Sequence, residues 1–199
     1  MKTKVLKRRT TFNKYLFNRP LRILIFTNSL ILLSGAMLGP IYALFVKDLG
    51  GSLLDASFAA GIFAFAAGIT TLISGKYADK IKRQRAMIVN AYTIMALGFF
   101  AYIFVNSIYT LFLVEIVIGF GEAFYAPAFD SLFTKHTTKT KVGREWGAWE
   151  SVNYFSAAFG AIAGGFIVAN MGFSSLFIIM GTISLLSAIY LYIAGNGEV

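Results

Sequence analysis

The chain has 199 residues, of which 57% are hydrophobic and 14% charged, with no cysteine and a mean hydropathy of +0.70. Soluble domains carry about 25% charged residues, so a soluble globular domain, a disordered chain and a nucleic-acid-binding domain are excluded as whole-chain readings. The missing cysteines exclude disulfides and thiolate metal sites, and the net charge of +9 has to be read locally, by loop.

Charge-free runs mark the spans. There are 24 uncharged residues between Arg22 and Lys47, 20 between Asp55 and Lys76, 29 between Arg85 and Glu115, and 47 between Glu150 and Glu198. A helix rising about 1.5 Å per residue crosses a hydrocarbon core of about 30 Å in roughly 20 residues. The first two runs hold one span each, the third holds one and part of the next, and the last holds two. The pattern predicts an all-α polytopic membrane protein, with a basic tail over residues 1–20 and a transmembrane domain over 21–195. Its six transmembrane helices are predicted at 21–46, 53–77, 86–105, 108–132, 146–169 and 173–194.

The tail carries eight of the 18 Lys and Arg residues up to Arg22, with Phe12, Tyr15, Leu16 and Phe17 suited to an anionic leaflet. The apolar run after it exceeds the roughly 7–15 residues of a signal peptide, so a retained first helix is expected. That helix holds Asn28, Ser34 and Tyr42 as candidate cavity-lining groups, and Pro40 near its exit. On the second helix Gly61, Gly68 and Gly75 recur every seven residues, a spacing that lets helix backbones approach. The third and fourth helices are joined by a short turn around 106–107, which predicts a tight hairpin.

The fourth helix carries Glu115, Glu122 and Asp130, with Tyr125 a further cavity candidate. Glu115 and Glu122 are seven residues apart and share one helix face within about 20°. An ionised carboxylate without a cation is costly in a dry site, and the only Lys or Arg in the predicted spans, Arg22 and Lys76, fall within two residues of a span end. Each acid is therefore expected to keep its proton much of the time and to release it when water enters, as coupling to protons or to a cationic substrate requires. Pro127 stands 19 residues after Ile108, as Pro40 stands 19 after Leu21, a match that predicts a 3+3 inverted repeat. His136 falls in a cationic loop and is expected to be solvated, and Trp146 and Trp149 read as interfacial anchors. On the fifth helix Glu150, Asn153 and Tyr154 complete the candidate cavity lining.

Seventeen of the 18 cations lie in the tail or in the loops around 76–85 and 135–144, whereas the loops around 106–107 and 170–172 carry none. Cations accumulate on the cytoplasmic side, which predicts a cytoplasmic (inner) membrane location with both termini in the cytoplasm.

Two motifs are specific. The segment Gly75-Lys76-Tyr77-Ala78-Asp79-Lys80-Ile81-Lys82-Arg83-Gln84-Arg85 resembles the loop 2–3 signature of the major facilitator superfamily, G-x-x-x-D-(R/K)-x-G-R-(R/K). Gly75, Asp79, Lys80 and Arg83 match, Lys82 replaces the second glycine, and Arg85 follows Gln84 at the final basic position. The second, on the fifth helix, is similar to that superfamily's antiporter signature, G-x8-G-x3-G-P-x-x-G-G. Gly147, Gly160, Gly164 and Gly165 match, with Ser156 and Ala161 at the second glycine and the proline. Asp130 and the Gly143-Arg144 pair also stand where the family has an acid and a Gly-Arg pair. Glu115 stands four residues before Gly119, where proton-coupled members often have an arginine.

The resemblance covers the whole chain and implies one half of a major-facilitator fold, similar to the N-terminal half of a twelve-helix protein. It implies that Gly75, Asp79, Lys80, Arg83, Arg85, Asp130 and Arg144 form a gate latch. It also implies secondary transport by alternating access, with proton-coupled efflux of small organic compounds as the expected form. The expected partners are the lipid bilayer, a second copy in a homodimer or a complementary six-helix chain, a small-molecule substrate and protons; no nucleic acid, cofactor or metal is expected. Alternatives are the N-terminal half of a split or truncated transporter, and a non-transporting six-helix subunit. One histidine, no phosphate-cradling loop and no nucleophile–base pair argue against an enzyme.

Overall fold

The computed structural model describes residues 17–78 and 83–195. The described residues form six α-helices: α1 (Arg19–Leu38), α2 (Tyr42–Asp48), α3 (Leu53–Ala78), α4 (Gln84–Ala101), α5 (Ile108–His136) and α6 (Val142–Ala194). Five continuous segments among them are long and apolar enough to cross a membrane, the first running through α1 and α2 as Arg19–Asp48. The packing order is α3, α5, α4, α6, α1, each against the next.

Local chemistry sets the helix starts. Asn18 caps α1, its side-chain oxygen accepting from the Leu21 N–H at 3.0 Å, and Pro20 sits in the first turn, where its missing N–H costs nothing. Ser107 and Thr110 form a reciprocal capping box at the start of α5. Ser52 and Asp55 exchange bonds of the same kind before α3.

The two prolines behave differently. The predicted first helix, 21–46, is interrupted: Gly39–Ile41 tightens into a 3₁₀ turn at Pro40 and the chain resumes as α2. Pro127, by contrast, lies inside an unbroken α5. A proline removes the N–H that would bond the carbonyl four residues earlier. At Pro127 that carbonyl belongs to Ala123, and the Ser74 hydroxyl of α3 donates to it at 2.7 Å. A neighbouring helix thus resupplies the missing donor, and α5 stays whole.

The predicted fifth and sixth helices run on as α6, 53 residues long, and meet at Gly172, whose φ of 78° and ψ of 173° are non-helical. Only glycine takes such a conformation without strain. α1 lies against both parts of α6. Ser187 donates to the Thr27 carbonyl at 2.7 Å, and a Cβ added at Gly160 would stand 2.6 Å from the Leu33 carbonyl oxygen. One added at Gly164 would overlap the Met37 carbonyl. Among the described residues, Gly61, Gly68 and Gly75 of α3 have nothing within 4 Å of an added Cβ, so no described neighbour uses that stripe.

The core is aromatic at both ends. Phe45, Tyr102 and Phe177 pack near α2, with Tyr102 stacked on Phe177 at 4.9 Å. Trp149 is buried against Phe129 at 5.0 Å, and Trp146 packs on Phe133 at 4.6 Å. Both tryptophans thus pack on rings that α5 supplies.

Candidate functional site: a cavity with two carboxylates

A cavity of about 380 Å³ opens between α1, α2, α3, α4, α5 and α6. Glu115 and Glu122 both line it, together with Tyr42, Tyr102, Phe63 and Phe99. Gly35, Gly39 and Ala60 are also on its wall, where short side chains leave the space open. Among the described residues, no lysine, arginine or histidine lines it.

Glu115 is 5% exposed. Its Oε1 accepts from the Tyr42 hydroxyl and, at 2.8 Å, from the Tyr102 hydroxyl. Tyr42 reaches it because the 3₁₀ turn at Pro40 ends at Ile41 and places Tyr42 first in α2. Tyr102 reaches it across the α4–α5 hairpin, from the 3₁₀ turn Tyr102–Phe104 that ends α4, and its ring is held by Phe45 and Phe177. Glu122 lies two helical turns farther along α5 and is half-buried. Among the described residues it takes part in no hydrogen bond.

Two phenols on one carboxylate oxygen support either protonation state. They donate to the anion, and a neutral acid can donate back to a phenol oxygen. Glu122 presents a second acid to the same space. The pair is suited to holding a proton or an organic cation against aromatic walls.

The remaining sequence candidates are distributed as follows. Asn28 is buried and accepts from the Tyr92 hydroxyl at 3.1 Å, and Tyr92 packs edge-on against Tyr125 at 5.4 Å. Ser34 is buried and donates to its own helix, to the Leu30 carbonyl at 2.9 Å. Glu150 and Tyr154 are exposed and Asn153 half-buried, and the structure does not bring these three to the cavity. Of the gate residues, Asp79 and Lys80 lie outside the described residues. Gly75 is half-buried, Arg83 precedes α4, Arg85 is half-buried in its first turn, and Arg144 is exposed in the first turn of α6. Asp130 is exposed, within electrostatic reach of Glu150. In the fifth-helix signature Gly160 and Gly164 pack on α1, while Gly147 and Gly165 face open space.

Sequence reasoning missed Tyr102 and the lattice joining the helix ends near residue 84. In that lattice Gln84 donates to Ser131 at 2.8 Å and accepts from Lys135 at 2.7 Å, and Asn18 donates to the His136 carbonyl at 2.7 Å. Tyr102 had a usable signal. It lies 13 residues before Glu115 across a short turn, which places the two within about one helical turn of each other in depth on adjacent antiparallel helices, inside the reach of a tyrosine.

Comparison with known proteins follows the same lines. The Major Facilitator Superfamily profile matches residues 24–197. The "Multidrug resistance protein MdtG" of Klebsiella pneumoniae is 28% identical over 194 residues, covering 95% of this chain and 47% of that protein. The MdtG of Enterobacter lignolyticus is 28% identical over 168 residues, 82% of this chain and 40% of that protein. That of Proteus mirabilis is 27% identical over 178 residues, 86% and 43% respectively. The chain thus spans less than half the length of these relatives.

Proposed function

The chain belongs to the Major Facilitator Superfamily, a family of membrane transporters and not of enzymes, and from that premise we propose that it moves small organic compounds by alternating access, with Glu115 and Glu122 as its coupling groups. The supporting observation is the cavity itself, where two carboxylates meet aromatic walls and, among the described residues, no lining cation. A proton or a cationic substrate competing for these acids ties occupancy to charge, and opening to water on either side lets the proton leave. The relatives' printed name, multidrug resistance protein, supports efflux of organic compounds as the direction.

We count α6 as two spans. Straight, its 53 residues would run about 80 Å at 1.5 Å per residue, against a core of about 30 Å, and the break at Gly172 supplies the turn. Six spans then place both termini on one side, the cytoplasmic side by charge. At that end Gly75, Asp79, Lys80, Arg83, Arg85, Asp130 and Arg144 are proposed as the gate latch.

The open glycine stripe of α3 and the span of less than half of each relative support a second six-helix body beside this one. A second copy of the chain in a homodimer would supply it, as would the other half of a longer transporter. Mass measurement in mild detergent distinguishes them, and a strictly monomeric, active 199-residue chain would refute both.

The transport assay uses vesicles with an imposed pH gradient. Glu115→Gln and Glu122→Gln should each reduce gradient-driven uptake of a cationic dye at least about ten-fold, the effect of about 1.4 kcal/mol. Unchanged flux in both variants, with normal assembly, would sink the proposal.

A further inference from the structure

We propose that the groove on the outer flank of α1 and the end of α6 binds an anionic glycerophospholipid. The groove encloses about 650 Å³ and is lined by Arg19, Arg22, Ile23, Phe26, Ser29 and Tyr190, among others. It is polar at one end only. Arg19 and Arg22 are exposed at the start of α1. Beyond them Phe26 and Tyr190, 51% and 44% exposed, form an edge-to-face pair at 5.3 Å. The Ser29 hydroxyl is turned back onto the Phe26 carbonyl at 2.8 Å and adds little polarity there.

The dimensions fit one leaflet. From Arg19 to Ser29 the helix rises about 15 Å at 1.5 Å per residue, half of an about 30 Å hydrocarbon core. A headgroup at the arginines therefore lays its acyl chain along Ile23, Phe26 and Tyr190. A guanidinium carries five donors in a fork that matches phosphate oxygens, enough to serve a phosphate beside a protein neighbour. Charge decides between a lipid and the chain's N-terminal tail. Residues 1–16 hold Lys2, Lys4, Lys7, Arg8, Arg9 and Lys14 and no acid, so by charge they offer the arginines no counter-ion, whereas a lipid phosphate does. The site requires only that the chain sits in a bilayer, and stands whether or not the transport proposal does.

The test is native mass spectrometry of the full chain in mild detergent, equilibrated with equal amounts of phosphatidylglycerol and phosphatidylcholine of the same acyl chains. Wild type should retain phosphatidylglycerol preferentially, and Arg19→Gln/Arg22→Gln should lose that preference by about five-fold for each arginine. Lys139→Gln, at an exposed loop cation, should leave it within two-fold. Equal retention of the two lipids by wild type, an unchanged preference in the arginine variant, or an equal loss in Lys139→Gln would each overturn the site. Displacement by soluble glycerol phosphate would also overturn it, since the acyl groove would then contribute nothing. Should the arginine variant fail to fold, the wild-type preference must still fall from low to high salt; a salt-independent preference overturns the proposal.

Discussion

Replacing Ser74 with alanine isolates the bond that keeps α5 whole. Pro127 cannot donate to the Ala123 carbonyl, and the Ser74 hydroxyl does so at 2.7 Å; its other contact, the Thr71 carbonyl, is at 3.4 Å. Ser74 is 2% exposed, so water cannot replace the hydroxyl. Leaving a buried acceptor unpaired costs about 1–3 kcal/mol, and single interhelical hydrogen bonds in a membrane reach about 1.7 kcal/mol. Ser74→Ala is therefore expected to lose about 1–2 kcal/mol. In a Pro127→Ala background residue 127 regains its N–H, which bonds Ala123 within the helix. There the same Ser74→Ala change should cost no more than about 0.5 kcal/mol. The resulting coupling, about 1 kcal/mol, is measurable by a double-mutant cycle. Reversible unfolding in mixed micelles, followed by far-UV circular dichroism, gives all four stabilities. An equal cost of Ser74→Ala in both backgrounds would refute the idea that the serine stands in for the missing donor.

Two further outcomes follow from the packing. Tyr102→Phe removes a 2.8 Å donor from Glu115 and should cost about 1 kcal/mol in the same unfolding assay, and clearly less in a Glu115→Leu background, where no acceptor is left; additivity of the two changes would contradict a direct bond. Gly164→Ala, whose Cβ would overlap the Met37 carbonyl, should cost about 1–3 kcal/mol. Gly68→Ala, with open space beside it, should stay within about 0.5 kcal/mol while weakening assembly with a second six-helix body. A large loss of stability in Gly68→Ala alone would show that the stripe packs within this chain.

Some of the site was open to reading from the chain alone because its signals are local. A seven-residue spacing puts Glu115 and Glu122 on one face whatever surrounds them, and both line one cavity. Partners were harder to find, because hydrogen bonds join residues that no period connects. Tyr42 and Glu115 are 73 positions apart, and Asn28 and Tyr92 are 64 apart. Asn28, a candidate cavity-lining group, accepts from that tyrosine in the structure.

The amino-acid sequence by itself determined that this chain lies in a membrane, roughly where its spans fall, and which acids sit within them. Those properties follow from runs of hydrophobicity and from charge, each set by neighbours in the chain. Tertiary structure alone decided how each proline acts. Pro40 has a 3₁₀ turn after α1, whereas Pro127 has Ser74 facing the orphaned carbonyl. It likewise decided which glycines matter, since Gly160 and Gly164 meet the α1 backbone and Gly61, Gly68 and Gly75 meet nothing among the described residues. A missing donor or a missing Cβ is a local fact, but its consequence depends on which atom a distant helix places opposite it.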